Sequence, residues 1–202
     1  PVFGSPFFCR IRQAMQYGKT IDEYADIMLK NNAGDYACSW LLGNVNNNEI
    51  GCFEIGLKEH SLRKTFDGVF YGMNSAINSE LRKKETTDDS INDLSTSTGA
   101  RRLRMDYLLN NLYYGKITPT VAKTILSDHY DVYKNIHTPN TRSICRHSEQ
   151  GDTPENVYPS GSTDGKVVDT KNAKKMKFTA RFGSMCGKKF NKTVFIKDRK
   201  ST

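Results

Sequence analysis

Asn31–Gly56 reads NNAGDYACSWLLGNVNNNEIGCFEIG, and this stretch decides how the rest of the chain is read. Two apolar runs, Ala37–Val45 and Glu49–Ile55, flank Asn46-Asn47-Asn48. Asn tolerates positive φ and bonds nearby backbone through its side chain. A run of Asn between two β-prone segments therefore predicts a hairpin. The same stretch holds the single Trp of the chain, Trp40, and two of its five Cys.

Working outward, the N-terminal side predicts two helices. Cys9–Gly18 has helical spacing, with Ile11, Met15 and Phe8 toward one side and Gly18 as its stop. Thr20-Ile21-Asp22-Glu23 has the form of a capping box, so a second helix is expected over Ile21–Lys30, burying Ile21, Tyr24, Ile27 and Met28. On the C-terminal side a second hairpin is expected from Leu57–Thr65, the turn Phe66-Asp67-Gly68 and the β-prone run Val69–Met73. That gives four consecutive antiparallel strands.

Beyond them, Asn78–Glu85 reads as a short helix and Thr86–Thr98 as an exposed polar loop. Gly99–Tyr114 reads as an amphipathic helix with Leu103, Tyr107, Leu108, Asn111 and Leu112 on one face. Its start carries Arg101, Arg102 and Arg104, where basic charge opposes the helix dipole. Thr118-Pro119 begins another helix. Thr141–His147 reads as a short strand, and Gln150–Gly165 as a loop rich in Gly, Pro, Ser and Thr. Further strands are expected over Lys166–Asp169, Lys177–Phe182 and Thr193–Ile196. Helices, a meander, helices again and then strands make an α+β fold of antiparallel sheet against helices.

Composition bounds the function classes. With 202 residues the chain is read as a single domain over 1–202, with a basic tail segment over 166–202. Mean hydropathy is −0.63, and no run approaches the ~18 apolar residues of a membrane span. The first residues, PVFGSPFFCRIRQ, lack the order of a signal peptide and an initiator Met, so the sequence reads as a processed product or a fragment. Net charge is +8, which admits an anionic partner. No aromatic motif interleaves the basic residues, so a nucleic-acid partner is not expected.

No CxxC pair occurs among Cys9, Cys38, Cys52, Cys145 and Cys186, so neither a zinc site nor a cofactor is expected. One disulfide, Cys145–Cys186, would suit an oxidising compartment. Asn191-Lys192-Thr193 has the form of a glycosylation sequon. Three further arrangements leave a chemical and a structural reading open. Asp128-His129 is either an oriented base or a helix-end pair. Cys145 and His147, two apart, are either a nucleophilic dyad or buried structure. Arg101, Arg102 and Arg104 are either an anion clamp or exposed helix charges that pair with Thr87–Asp93.

Six blocks in order, CRIRQAMQYGKTIDEYADIM, YACSWLLGNVNNNEIGCFEIGLK, FYGMNSAINSELR, GARRLRMDYLL, GKITPTVAKTILSDHYD and TRSICRH, give the chain a resemblance to a known group. It is similar to the phospholipase-B-like and acyl-CoA:penicillin-acyltransferase-like N-terminal-nucleophile (Ntn) hydrolases, from Phe3 to about Gly187. The resemblance implies an αββα sandwich of antiparallel sheets between helices, here its C-terminal part. It also implies cleavage of an amide or ester through an acyl-enzyme on an N-terminal Cys thiol. Ser39 stands where the family has its oxyanion Asn, and Asn74 matches a second family Asn, with Ser75 where His commonly follows. Arg101 matches the site Arg, and Trp40 and Arg104 would line the acyl substrate.

The nucleophile matches nothing here, because Cys9 lies in a different block. The expected partners are therefore an N-terminal segment or chain bearing the nucleophilic Cys, and an acyl-amide or phospholipid substrate. The alternative is a non-catalytic structural or binding module of this fold within a larger protein assembly. Cytosolic, secreted and lysosome-like settings are all compatible with the sequence.

Overall fold

The Asn turn forms as its chemistry dictates. In the computed structural model, which describes residues 4–147, 164–189 and 193, Asn44 and Asn47 side chains accept the backbone N–H groups of Asn46 and Glu49, at 3.0 Å each. Asn48 takes φ +64°, a left-handed conformation that Asn tolerates. Strands β1 (Cys38–Asn44) and β2 (Glu49–Ile55) leave this turn in register, with Trp40 opposite Phe53 and Ser39 opposite Glu54. Strand β3 (His60–Thr65) pairs with the other edge of β2.

The expected fourth strand does not form. Thr65 and Asp67 close the turn through side-chain and backbone bonds, but Val69–Met73 pairs with no strand. A β-prone composition describes residues that fit a half-buried pleated surface, and it does not by itself supply a partner edge.

Helices α1 (Phe7–Tyr17) and α2 (Ile21–Leu29) cover one face of this sheet. Thr20 Oγ1 accepts from Glu23 N at 3.1 Å, and the Glu23 carboxylate reaches back to Lys19 N at 2.8 Å. Ala14, Tyr24, Ala25 and Met28 pack with Phe53 and Ile55, and Trp40 and Leu42 border them. Burying a side chain such as Phe53 contributes about 2 kcal/mol.

The inward face of α1 is Arg10 and Ala14, whereas Phe8 and Met15 are exposed. Arg10 is tolerated there because its guanidinium donates to Ser5 O and pairs with Asp35 at 3.0 Å. Strand alternation points Cys52 and Glu54 to the opposite face, and both are buried as well. Helix α3 (Ser79–Glu85), capped by Asn78, follows. Its Glu85 carboxylate accepts the N–H groups of Leu57, Lys58 and Glu59.

Contacts gather the chain into two compact units, Pro1–Asp89 and Ser90–Thr202. In the second, Thr96 caps helix α4 (Ser97–Tyr107), which gives way to a π-helical turn over Leu108–Leu112. The buried face differs from the expected one: Leu103, Tyr107 and Leu112 are exposed, and Gly99, Ala100, Met105 and Leu108 are buried. Gly99 is required there, since a Cβ would lie 2.1 Å from Asp93 O. In the segment expected as an exposed loop, Ile91 is buried.

Helix α5 (Pro119–Leu126) starts at the Thr118 cap with Pro in its first turn. Two-residue strands β4 (Tyr130–Asp131) and β5 (Ile136–His137) make a small hairpin. Strand β6 (Gly165–Val167), helix α6 (Thr170–Ala173) and strand β7 (Thr179–Arg181) form a second antiparallel pair within the basic segment. Thr141–His147 is a series of turns and not a strand. Most of the loop expected over Gln150–Gly165, the sequon at Asn191 and nearly all of the strand expected over Thr193–Ile196 lie outside the described residues. The fold is α+β with small antiparallel sheets. No helix among the described residues is long and apolar enough to cross a membrane.

Candidate functional site

Ser39 and Trp40 lie on neighbouring positions of β1 and face opposite sides of the sheet. Ser39 Oγ donates to Glu54 Oε1 at 3.1 Å. The same carboxylate accepts Ile77 N at 2.6 Å and Asn78 N at 2.9 Å, and Arg63 lies 3.6 Å away. Four donors thus surround one buried carboxylate, which is how a charge is held inside a protein. These bonds draw the 72–78 segment over Ser39: a Cβ on Gly72 would sit 3.7 Å from Ser39 Cβ. Asn74, on that segment, is exposed. The structure therefore brings the Asn74 segment onto the Ser39 face, while Trp40 turns to the helical core.

The arginines belong to the second unit. Arg104 makes a two-pronged contact with Asp128, at 2.9 and 2.6 Å, and lies over the Tyr130 ring. Arg101 donates to Ser97 O at 3.0 Å. Burial, followed by the nearby charge of Arg146, lowers Arg101 to about 10, so it stays charged at neutral pH. Arg146 Nε is itself buried without a hydrogen-bond partner among the described residues.

A different group of side chains comes together just beyond α5. His129, Cys145, His147 and Cys186 place their ligand atoms all within 4.8 Å of one another. His129 Nε2 and His147 Nε2 are 3.1 Å apart. Cys145 Sγ lies 3.4 Å and Cys186 Sγ 3.5 Å from His147 Nε2. Cys145 and His147 are fully buried, and His129 and Cys186 are half-buried.

Each member is held by backbone bonds. Arg104 fixes Asp128, and Asp128 O accepts Cys145 N at 2.9 Å, which seats Cys145 beside His129. His147 N donates to Asn140 O at 3.0 Å. Asn140 and Arg142 in turn donate to the buried Asp131 carboxylate at 2.7 and 2.9 Å. On the far side, Ser127 Oγ and Arg181 Nη1 both donate to Met185 O at 3.0 Å. The N–H groups of Met185 and Cys186 point at the Cys145 sulfur. Gly187 turns the chain away at φ +82°.

This cluster could hold a metal ion, although the sequence led to no expectation of a zinc site. It lacks a CxxC pair because its members come from three separate places in the chain, the end of α5, the 140–147 turns and the 184–187 turn. The sequence had singled out its members only in pairs: Cys145 with His147, Asp128 with His129, and Cys145 with Cys186. Cys145 and Cys186 are free thiols, not a disulfide. Burial pushes the Cys145 thiol up to about 11, opposite to the shift of an activated nucleophile. Burial, then the His147 ring, lowers His129, which favours its neutral form. Asp128 is engaged by Arg104 and by Tyr130 N, 3.1 Å from Oδ1.

No family model and no curated protein matches the chain.

Proposed function

We propose that this chain is the C-terminal portion of an Ntn-type cysteine hydrolase or acyltransferase, which cleaves an amide or ester bond through an acyl-enzyme. The six ordered sequence blocks support this reading. The observation that carries it is the approach of the segment bearing Asn74 to Ser39, the position that the resemblance matches to the family's oxyanion Asn. The thiol comes from an N-terminal segment or companion chain. Intact-mass and N-terminal analysis of the protein from its natural source tests this. The expected result is an accompanying segment that begins with Cys and is labelled by a thiol-reactive acyl probe, with the five Cys here unlabelled. Absence of such a segment overturns the reading.

A second reading, a non-catalytic structural or binding module within a larger assembly, is favoured by the bonding of Ser39. Its proton is given to Glu54, and so is not offered to an oxyanion. Under this reading the acyl probe labels nothing, and Ser39→Asn leaves the protein inert.

A further inference from the structure

We propose that His129, Cys145, His147 and Cys186 form a closed, tetrahedral, structural Zn²⁺ site. It would tie the turns around 129–147 to the turn at 184–187. The inference does not depend on the acyl-transfer reading, since none of the four residues has a part in it.

The geometry carries the proposal. With Zn–N near 2.0–2.1 Å and Zn–S near 2.3 Å, a tetrahedron separates two nitrogens by about 3.3 Å and a nitrogen from a sulfur by about 3.5 Å. The separations here are 3.1 Å between the imidazole nitrogens and 3.4 and 3.5 Å between thiol and imidazole. Both histidines contribute Nε2 to the cluster, and all the remaining separations among the four ligand atoms are within 4.8 Å. The same atoms lie within hydrogen-bonding reach of one another, and a thiol is a weak donor in such contacts.

A zinc ion with two thiolates and two neutral imidazoles has no net charge. That composition suits two fully buried ligands, because a buried uncompensated charge is costly. Binding breaks the two S–H bonds and releases two protons, and the four electron pairs are then shared with the metal. Mixed sulfur and nitrogen ligands in a tetrahedron favour zinc over magnesium or calcium, which prefer oxygen. Four protein ligands leave no open position for substrate water, which makes the site structural.

The test is zinc analysis of the full chain, produced in zinc-supplemented medium and isolated without chelator. About one zinc per chain is expected. Cys145→Ala and His147→Ala should each lose it, and the Cys9→Ala, Cys38→Ala double variant should keep it. A core variant can fail to fold, so the wild-type protein is also loaded with cobalt(II). It should give the strong visible bands of a tetrahedral site and a sulfur-to-cobalt charge-transfer band. Cys186→His, at the less buried position, should keep the metal and lose about half of that charge-transfer intensity. The proposal is overturned by wild-type protein without stoichiometric zinc, by a weak octahedral cobalt spectrum, by a Cys145–Cys186 disulfide in the freshly isolated protein, or by zinc that survives the Cys145→Ala, Cys186→Ala double variant.

Discussion

Each unit of this protein buries a polar centre, and the two are completed in opposite ways. In the first, Glu54 is buried as a carboxylate and the fold itself provides every partner: a hydroxyl, two backbone N–H groups and a guanidinium. In the second, two imidazoles and two thiols face one another and mostly offer lone pairs. Donors that converge on an acceptor make a self-sufficient structure, whereas acceptors that converge on a point call for a cation. A centre of the first kind is tested by deleting a side chain, and one of the second kind by removing an ion.

The largest effect should come from chelation. Structural zinc contributes apparent free energies of about 10–16 kcal/mol in small zinc-binding peptides, comparable to or above the stability of a whole domain. A strong chelator should therefore abolish cooperative melting of the second unit and leave the first unchanged, as followed by calorimetry. If both transitions persist, the contrast between the centres fails.

Glu54→Ala is next. It strands two backbone N–H groups and leaves a cavity, at a cost of about 3 kcal/mol in urea denaturation of the first unit. Ser39→Ala removes one donor to the same carboxylate and should cost about 1 kcal/mol. A loss much larger than that would mark Ser39 as more than one of four supports.

The smallest effect concerns Glu85. The N–H groups of Glu59, then Lys58, then Leu57 hold its carboxyl below the usual range. A carboxyl depressed on folding gives stability that is present above its unfolded value, near 4.3, and lost as pH falls through the lower folded value. Glu85→Gln should lower the first unit's stability at neutral pH and flatten the acid limb of its profile below about pH 4, where the two proteins converge.

The sequence was most legible where structure is local. The Asn46–Asn48 turn, the Thr20 and Thr118 caps and Pro119 in its first turn are each written in four or five consecutive residues. Pairing and facing were less legible. Val69–Met73 has strand composition without a partner edge. The Gly99–Tyr114 segment buries Ala100 and Met105 in place of Leu103 and Tyr107, and it ends in a π turn that the 3.6-residue period does not anticipate. Of the candidate site residues, Arg101 and Arg104 were noticed because they oppose a helix dipole, and Arg104 proved to be committed to Asp128. The four-residue cluster was the least legible, because its members lie far apart in sequence and its last member is delivered by the packing of Met185. A Cβ on Gly165 would fall 1.5 Å from Met185 Sδ, so strand β6 and the Cys186 turn meet only through a glycine.

The placement of Trp40 has a practical consequence. It is the single tryptophan of the chain, it borders the helical core of the first unit, and its Nε1 is buried without a hydrogen-bond partner among the described residues. Its emission is thus a built-in optical label for one unit, and cobalt absorption would be the label for the other. A single titration read in both channels would show in one cuvette whether the two units unfold together or apart.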